Sequence, residues 1–293
     1  MTKPINPGRR ESFKKVLLGG AALGSLTSFD SKEEKPYQLK GNITHGVCHW
    51  CFRENYTIEE LCIEAKKIGI KGIDLIGPDN WAILKKHGID SSMCNGAELG
   101  LTDGFGEVKF HEQLIKNYTE MIPKVADAGY KNLICFSGNR RGMDDETGLE
   151  NCQKGLEKLI PLAEQHGVIL QMELLNSRVN HRDYLCDKSA FGVELCKRLG
   201  SDNFKLLFDI YHMQIDEGDL VRSIRDNHQY FGHYHTAGNP GRNELDENQE
   251  IYYPAVMKAI VESGFKGYVS HEFIPRSADK MASLRHAVEV CDV

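Results

Sequence analysis

Four apolar runs in the second half of a 293-residue chain each bring a side chain able to bind a metal to within two positions of their end. VILQMELL carries Glu173, FKLLFD ends in Asp209, YFGHYH ends in His235, and GYVSHEF carries Glu272. Three carboxylates gathered in one low-dielectric place repel one another strongly, and a divalent cation removes that cost. Three oxygen donors and one imidazole suit a hard or borderline ion. Mg2+ or Mn2+ is therefore expected first and Zn2+ second, one ion in all.

The elements that would position these side chains are short β-type runs alternating with helical patterns from residue 42 onward. NITHGVC precedes TIEELCIEAKKIG, KGIDLIG precedes DNWAILKKHG, and IDSSMCNG precedes HEQLIKNYTEMIPKVADAG. KNLICFSG is followed by LENCQKGLEKLIPLAEQHG, and VILQMELLN by KSAFGVELCKRLG. FKLLFDIYH leads to DLVRSIRDN, YFGHYHTAG to YYPAVMKAIVESG, and KGYVSHEFIP to DKMASLRHAVEVC. Such alternation implies a parallel sheet. Gly69, Gly88, Gly129, Gly167, Gly200 and Gly264 close helical patterns, as left-handed C-caps require. Eight units in about 250 residues fit a single α/β domain folded as a (β/α)8 TIM barrel over 39–293. A doubly wound open sheet is the competitor, but no G-x-G-x-x-G follows the first strand. In a barrel the chemistry sits at the C-terminal rim of the strands. Neighbouring strands lie about 4.8 Å apart, close enough for four rim side chains to share one ion.

The blocks MELLNS, LLFDIYHMQIDEGDL, GHYHTAGNPGRNELD, EIYYPAVMKAI and GYVSHEFIP together resemble the hydroxypyruvate isomerase family, within the xylose isomerase-like superfamily of sugar isomerases and epimerases. The resemblance runs from about residue 42 to residue 293. It implies that Glu173, Asp209, His235 and Glu272 bind one divalent metal, that Glu173 and Glu272 are the proton-transferring pair, and that His212 contacts substrate. The implied reaction moves a carbonyl between adjacent carbons of a small hydroxy-keto acid or sugar. A proton leaves the carbon beside the carbonyl and is returned next door, through an enediolate whose charge the metal stabilises. Which glutamate is acid and which is base stays open.

Further residues are candidates for the substrate pocket. Arg242, in the turn-rich loop after His235, is the first candidate to neutralise a substrate carboxylate. Arg140 and Arg141, in FSGNRRGMDDE, are the second candidates, or else pair with the acids that follow them. Asn176, His45 and Trp50 lie just past strand ends, and Trp50 either covers the ligand or packs under a helix. His212 either donates to a substrate oxygen or holds the next loop. His233 is expected to point away from His235 and from the site. A ketose 3-epimerase would use the same residues. A non-catalytic sugar-binding barrel, or an endonuclease IV-like nuclease sharing the Asp-x-x-His spacing of Asp209 and His212, are remoter alternatives.

The formal net charge of −6 argues against nucleic acid as a partner. At the other end of the chain, Arg9, Arg10, Lys14 and Lys15 precede an apolar run over 16–26. That run is too short to span a bilayer, and with its basic flank it reads as a twin-arginine-type export signal. Residues 1–38 are accordingly expected to be signal and polar linker, the mature protein to be periplasmic without a membrane span, and a non-functional signal would leave it cytoplasmic. Nine scattered cysteines form no disulfide framework, and CHWC at 48–51 lacks the partner motif of a zinc site. A homo-oligomer is compatible with this composition.

Overall fold

The computed structural model describes residues 37–293; the expected export signal lies outside the described residues. Eight parallel strands close into one barrel in the order of the sequence. They are β1 (Thr44–Cys48), β2 (Gly72–Ile76), β3 (Asp90–Cys94), β4 (Asn132–Cys135), β5 (Ile169–Glu173), β6 (Phe204–Asp209), β7 (Phe231–Thr236) and β8 (Tyr268–His271). Closure runs through β1 and β8, where Gly46 pairs with Ser270.

The helices between the strands are α1 (Ile58–Ile68), α2 (Trp81–His87), α3 (His111–Asp127), α4 (Asp145–Leu156), α5 (Ile160–His166), α6 (Ser189–Leu199), α7 (Ile210–Asp216), α8 (Leu220–Asn227), α9 (Tyr253–Glu262) and α10 (Lys280–Cys291). All six glycines expected to end helices have positive φ, from 62° at Gly200 to 94° at Gly69. In α1, Thr57 and Glu60 form a reciprocal capping box that fixes the helix start. Two helices differ from the sequence expectation. The run from Leu149 to His166 is two helices rather than one, because Pro161 has no N–H and would clash with the preceding turn. And β6 passes straight into α7, a helix the strand pattern hid, with Asp209 as its N-cap.

The sheet's outer face packs on the helices through a continuous apolar core that includes Val47, Ile73, Leu133, Leu170, Phe208 and Val269. The lumen is different: small or polar residues line it on the β1 side. A Cβ at Gly46 would overlap the side chain of Ser270, and one at Gly72 would overlap Ser92. Two compensating irregularities interrupt the pairing of β2 with β3. Between the pairs Ile73–Ser91 and Asp74–Met93 an extra residue, Ser92, enters β3; between Asp74–Met93 and Ile76–Cys94 an extra residue, Leu75, enters β2. Leu75 takes φ of 61°, a conformation costing a non-glycine residue about 1 kcal/mol or more. Bulges of this kind re-aim side chains next to functional sites.

At the far side, Tyr37 and Lys40 tie the entry to β1 onto α10. The Tyr37 hydroxyl and the Lys40 amide both donate to Asp292 Oδ2, at 3.0 and 2.8 Å. Among the described residues no helix is long and apolar enough to cross a membrane.

Candidate metal centre at the barrel mouth

The side chains of Glu173, Asp209, His235 and Glu272 meet at the C-terminal mouth, each offering a ligand atom within 4.8 Å of the others, and all four are buried. Register explains the convergence. Glu173 pairs with Leu207, two residues before Asp209, while Asp209 pairs directly with His235. Because alternate residues share a face, all of these turn into the lumen together. His235 Nδ1 lies 2.9 Å from Glu272 Oε2, 3.2 Å from Glu173 Oε1 and 3.9 Å from Asp209 Oδ2.

Three buried atoms at this mouth have no hydrogen-bond partner: Glu173 Oε1, Asp209 Oδ2 and His212 Nε2. Burying unpaired carboxylate oxygens is costly, so their arrangement fits a bound cation and a polar substrate. The donor set, three carboxylates and one imidazole, suits Mg2+, Mn2+ or Zn2+.

The electrostatics follow from crowding. Burial, with Glu272 adding to it, pushes Glu173 above the usual carboxylate range, against the pull of His235. Burial likewise raises Asp209, to about 7, although Arg242 opposes the shift. Glu272 goes the other way: burial is outweighed by Arg242 and His235, which hold it well below the usual range. Burial disfavours charge on His235, yet Glu272, Cys48 and Asp74 together hold its pKa well above the ordinary imidazole value. A proton therefore competes with a cation for Nδ1, the ring nitrogen that faces the three carboxylates.

Trp50 and Arg242 complete this wall. Trp50 Nε1 donates to Glu272 Oε1 at 2.7 Å. The Arg242 guanidinium bonds Glu272 Oε2, lies 3.6 Å from Asp209 Oδ2, and sits between the rings of Trp50 and Tyr211, 5.1 and 5.6 Å from their centroids. Trp50 thus neither packs under a helix nor simply covers the mouth; it orients a glutamate and stacks on the arginine. Tyr211 was not foreseen from the sequence.

His212 also approaches Asp209. Its backbone N–H donates to Asp209 Oδ1 at 3.0 Å, capping α7. The Asn176 backbone N–H donates to His212 Nδ1 at 3.2 Å, so the ring hydrogen is on Nε2, which lies 3.7 Å from Asp209 Oδ2. Burial, helped by Arg242 and His181, holds His212 well below the ordinary imidazole value and keeps it neutral. Asn176 acts by holding His212 and by accepting from the Val179 and Asn180 amides with Oδ1. The ring of His181 lies 5.2 Å from that of His212, a neighbour that no spacing pattern announced.

Three expectations are corrected. His45 does not line the mouth: it lies on the outer face of β1, stacked on His271 with ring centroids 5.4 Å apart. The lumen-facing positions of that strand are Gly46 and Cys48, so residue 45 must face the helices. Arg140 is turned away into contacts with Asp145 (2.5 Å) and Met143 O (3.2 Å), while Arg141 pairs with Asp103 and Glu107. Asp145 follows Arg140 closely in sequence, whereas Asp103 and Glu107 reach Arg141 through the fold. His233 points into the lumen with His235, because residues two apart on a strand share a face. Its Nε2 lies 2.6 Å from Asp74 Oδ2, and His235 Nε2 lies 2.8 Å from the same oxygen. Asp74 itself, fully buried in mid-β2, escaped the sequence reading.

The sequence model of the xylose isomerase-like TIM barrel matches residues 63–292. The chain belongs to that family. A 2-oxo-tetronate isomerase of Cupriavidus necator is 33% identical over 115 residues, covering 39% of this chain and 44% of that protein. A human relative, named provisionally as a hydroxypyruvate isomerase, is 30% identical over 112 residues, 38% of this chain and 40% of its own length. The chain thus spans about two-fifths of the length of these relatives. A crystal structure described as an AP endonuclease, family 2, from Brucella melitensis superposes with a TM-score of 0.73 at 24% identity, covering 83% of this chain and 96% of that one, a likeness of fold. Metal-capable groups among the described residues share His235 as one focus, whereas a three-zinc nuclease site needs further histidines on the early strands.

Proposed function

We propose that the protein is a divalent-metal-dependent isomerase, moving a carbonyl between adjacent carbons of a small hydroxy-keto acid or sugar. The observation that carries this reading is the convergence of Glu173, Asp209, His235 and Glu272 around buried oxygens that lack partners. The names of the two relatives, both keto acids bearing hydroxyl groups, support the substrate class. One Mg2+, Mn2+ or Zn2+ ion held by those four residues supplies Lewis-acid stabilisation of negative charge on neighbouring substrate oxygens.

The chain's own groups divide the remaining work. Glu173, with Oε1 free of hydrogen bonds and its proton affinity raised by burial, is the better proton acceptor. Glu272 is bonded by Trp50 and Arg242, which fix its orientation and lower its basicity. Neutral His212 offers its Nε2–H to a substrate oxygen, and Asn176 keeps that hydrogen on the correct nitrogen. Arg242 offsets the negative charge of Glu272 and Asp209, and a substrate carboxylate must compete with them for it. The export signal belongs to this proposal too: Arg9, Arg10 and the apolar run over 16–26 support a periplasmic location, which fractionation of cells expressing the full chain checks.

The test is a panel of small ketoses and hydroxy-keto acids incubated with Mn2+-loaded protein in D2O. Deuterium at the carbon next to the carbonyl, with the carbonyl moved by one position, is the expected result, and Glu173→Gln abolishes it. Deuterium with the carbonyl unmoved would make the protein an epimerase. Binding without exchange would make it a sugar-binding barrel.

A further inference from the structure

Below the four rim residues the lumen holds a second polar group that the proposed reaction does not use. Asp74 is 0% exposed, in the middle of β2, and its two oxygens are fully engaged. Oδ2 lies 2.6 Å from His233 Nε2 and 2.8 Å from His235 Nε2, while Oδ1 accepts from the Ser92 hydroxyl. The two bulges described above produce this contact. Ser92 is the extra residue of β3 and Leu75 that of β2, and Asp74 lies between the two register shifts. Gly72 leaves room for the Ser92 side chain, since a Cβ there would overlap it.

A carboxylate can only accept, so both histidines donate to it from Nε2. For His235 the consequence is directional. With its Nε2–H committed to Asp74, the other nitrogen, Nδ1, is the one that faces Glu173, Asp209 and Glu272. Once a cation has displaced a proton from Nδ1, the hydrogen that remains stays on Nε2; were it free to move to Nδ1, the ring would present a donor rather than a lone pair.

We propose that Asp74, held by Ser92 and shared with His233, is the positioning residue that locks His235 with its Nδ1 lone pair available to the rim cation. The proposal rests on the metal-site reading above and adds a residue to it. Carboxylates behind metal-binding histidines commonly act this way, and their loss weakens metal affinity by about 10–100-fold. His233 is the second anchor: by donating to the same oxygen it keeps the carboxylate from rotating toward the rim, where it would compete for the ion.

The experiment is calorimetric titration of Mn2+ into the metal-free wild type, Asp74→Asn and Ser92→Ala, together with 15N spectra of histidine-labelled metal-free protein. Asp74→Asn keeps the volume but places an amide donor where the ring nitrogens donate. Its Mn2+ affinity should fall about 10–100-fold, and the His235 resonances should lose the fixed Nε2–H pattern of the wild type. At saturating Mn2+ its turnover should recover, because Asp74 does not touch the mouth. Ser92→Ala keeps the carboxylate and both histidines, and should weaken Mn2+ by a smaller factor. It serves as the deciding variant if Asp74→Asn does not fold. Unchanged Mn2+ affinity in the folded variants, with tight binding by the wild type, overturns this inference and leaves the metal site standing. Failure of the wild type to bind Mn2+ overturns both.

Discussion

Asp209 holds His212 with one oxygen and faces it with the other: its Oδ1 accepts the His212 backbone N–H at 3.0 Å, and its Oδ2, without a hydrogen-bond partner, lies 3.7 Å from the imidazole Nε2. One carboxylate therefore ends a strand, caps the next helix and faces both the proposed metal position and the proposed substrate donor. The strand-to-helix step at 209–210 needs no loop, so the spacing between the metal position and the donor is set by backbone geometry rather than by a flexible connection.

His212→Phe should lower turnover by about 100-fold while leaving Mn2+ affinity within a few-fold of wild type. In the proposed reaction the ring gives a hydrogen to substrate and is no ligand of the cation. Steady-state kinetics beside calorimetry separates the two effects. Equal losses in both would show that His212 acts on the metal site instead.

Arg242→Met should destabilise the metal-free protein by about 3 kcal/mol, because Glu272 and Asp209 lose their buried counter-charge. Saturating Mn2+ should restore more stability to the variant than to the wild type, since the cation then offsets the same carboxylates. Urea unfolding with and without Mn2+ measures both quantities.

The pH dependence follows from the raised groups. Asp209, shifted up to about 7 by burial, binds a proton in the metal-free fold at pH values where the unfolded chain has lost it. Its contribution to the stability of the metal-free protein is complete below about 4, the unfolded carboxylate range, and is lost as pH rises through about 7. A cation requires Asp209, Glu173 and His235 without their protons. Mn2+ affinity should therefore weaken as pH falls below 7, with protons released on binding. Titration in buffers of different ionisation enthalpy counts them. Affinity independent of pH between 5 and 8 would contradict the assignment.

Much of this site was legible because strand ends are legible. Apolar runs bounded by turn residues located β5 to β8, and the rim rule then selected Glu173, Asp209, His235 and Glu272. What failed was orientation. His45 has a suitable type and place, yet side-chain alternation along β1 sends it outward to His271. The same alternation puts His233 on the face of His235. Arg140 takes the alternative its own sequence offered, pairing with Asp145, while Asp103, Glu107 and Asp187 come to the two arginines only through the path of the loops. Asp74 was hidden for a different reason: a lone acid inside GIDLI resembles a half-exposed strand position, and only closure of the barrel brings β2 opposite β7.

Sharing of one cation by the four rim residues is tested by anomalous diffraction from crystals soaked in Mn2+. A single strong peak is expected about 2.0–2.2 Å from oxygens of Glu173, Asp209 and Glu272 and from His235 Nδ1. A map with no peak at the mouth, or with the ion bound away from these residues, would contradict it.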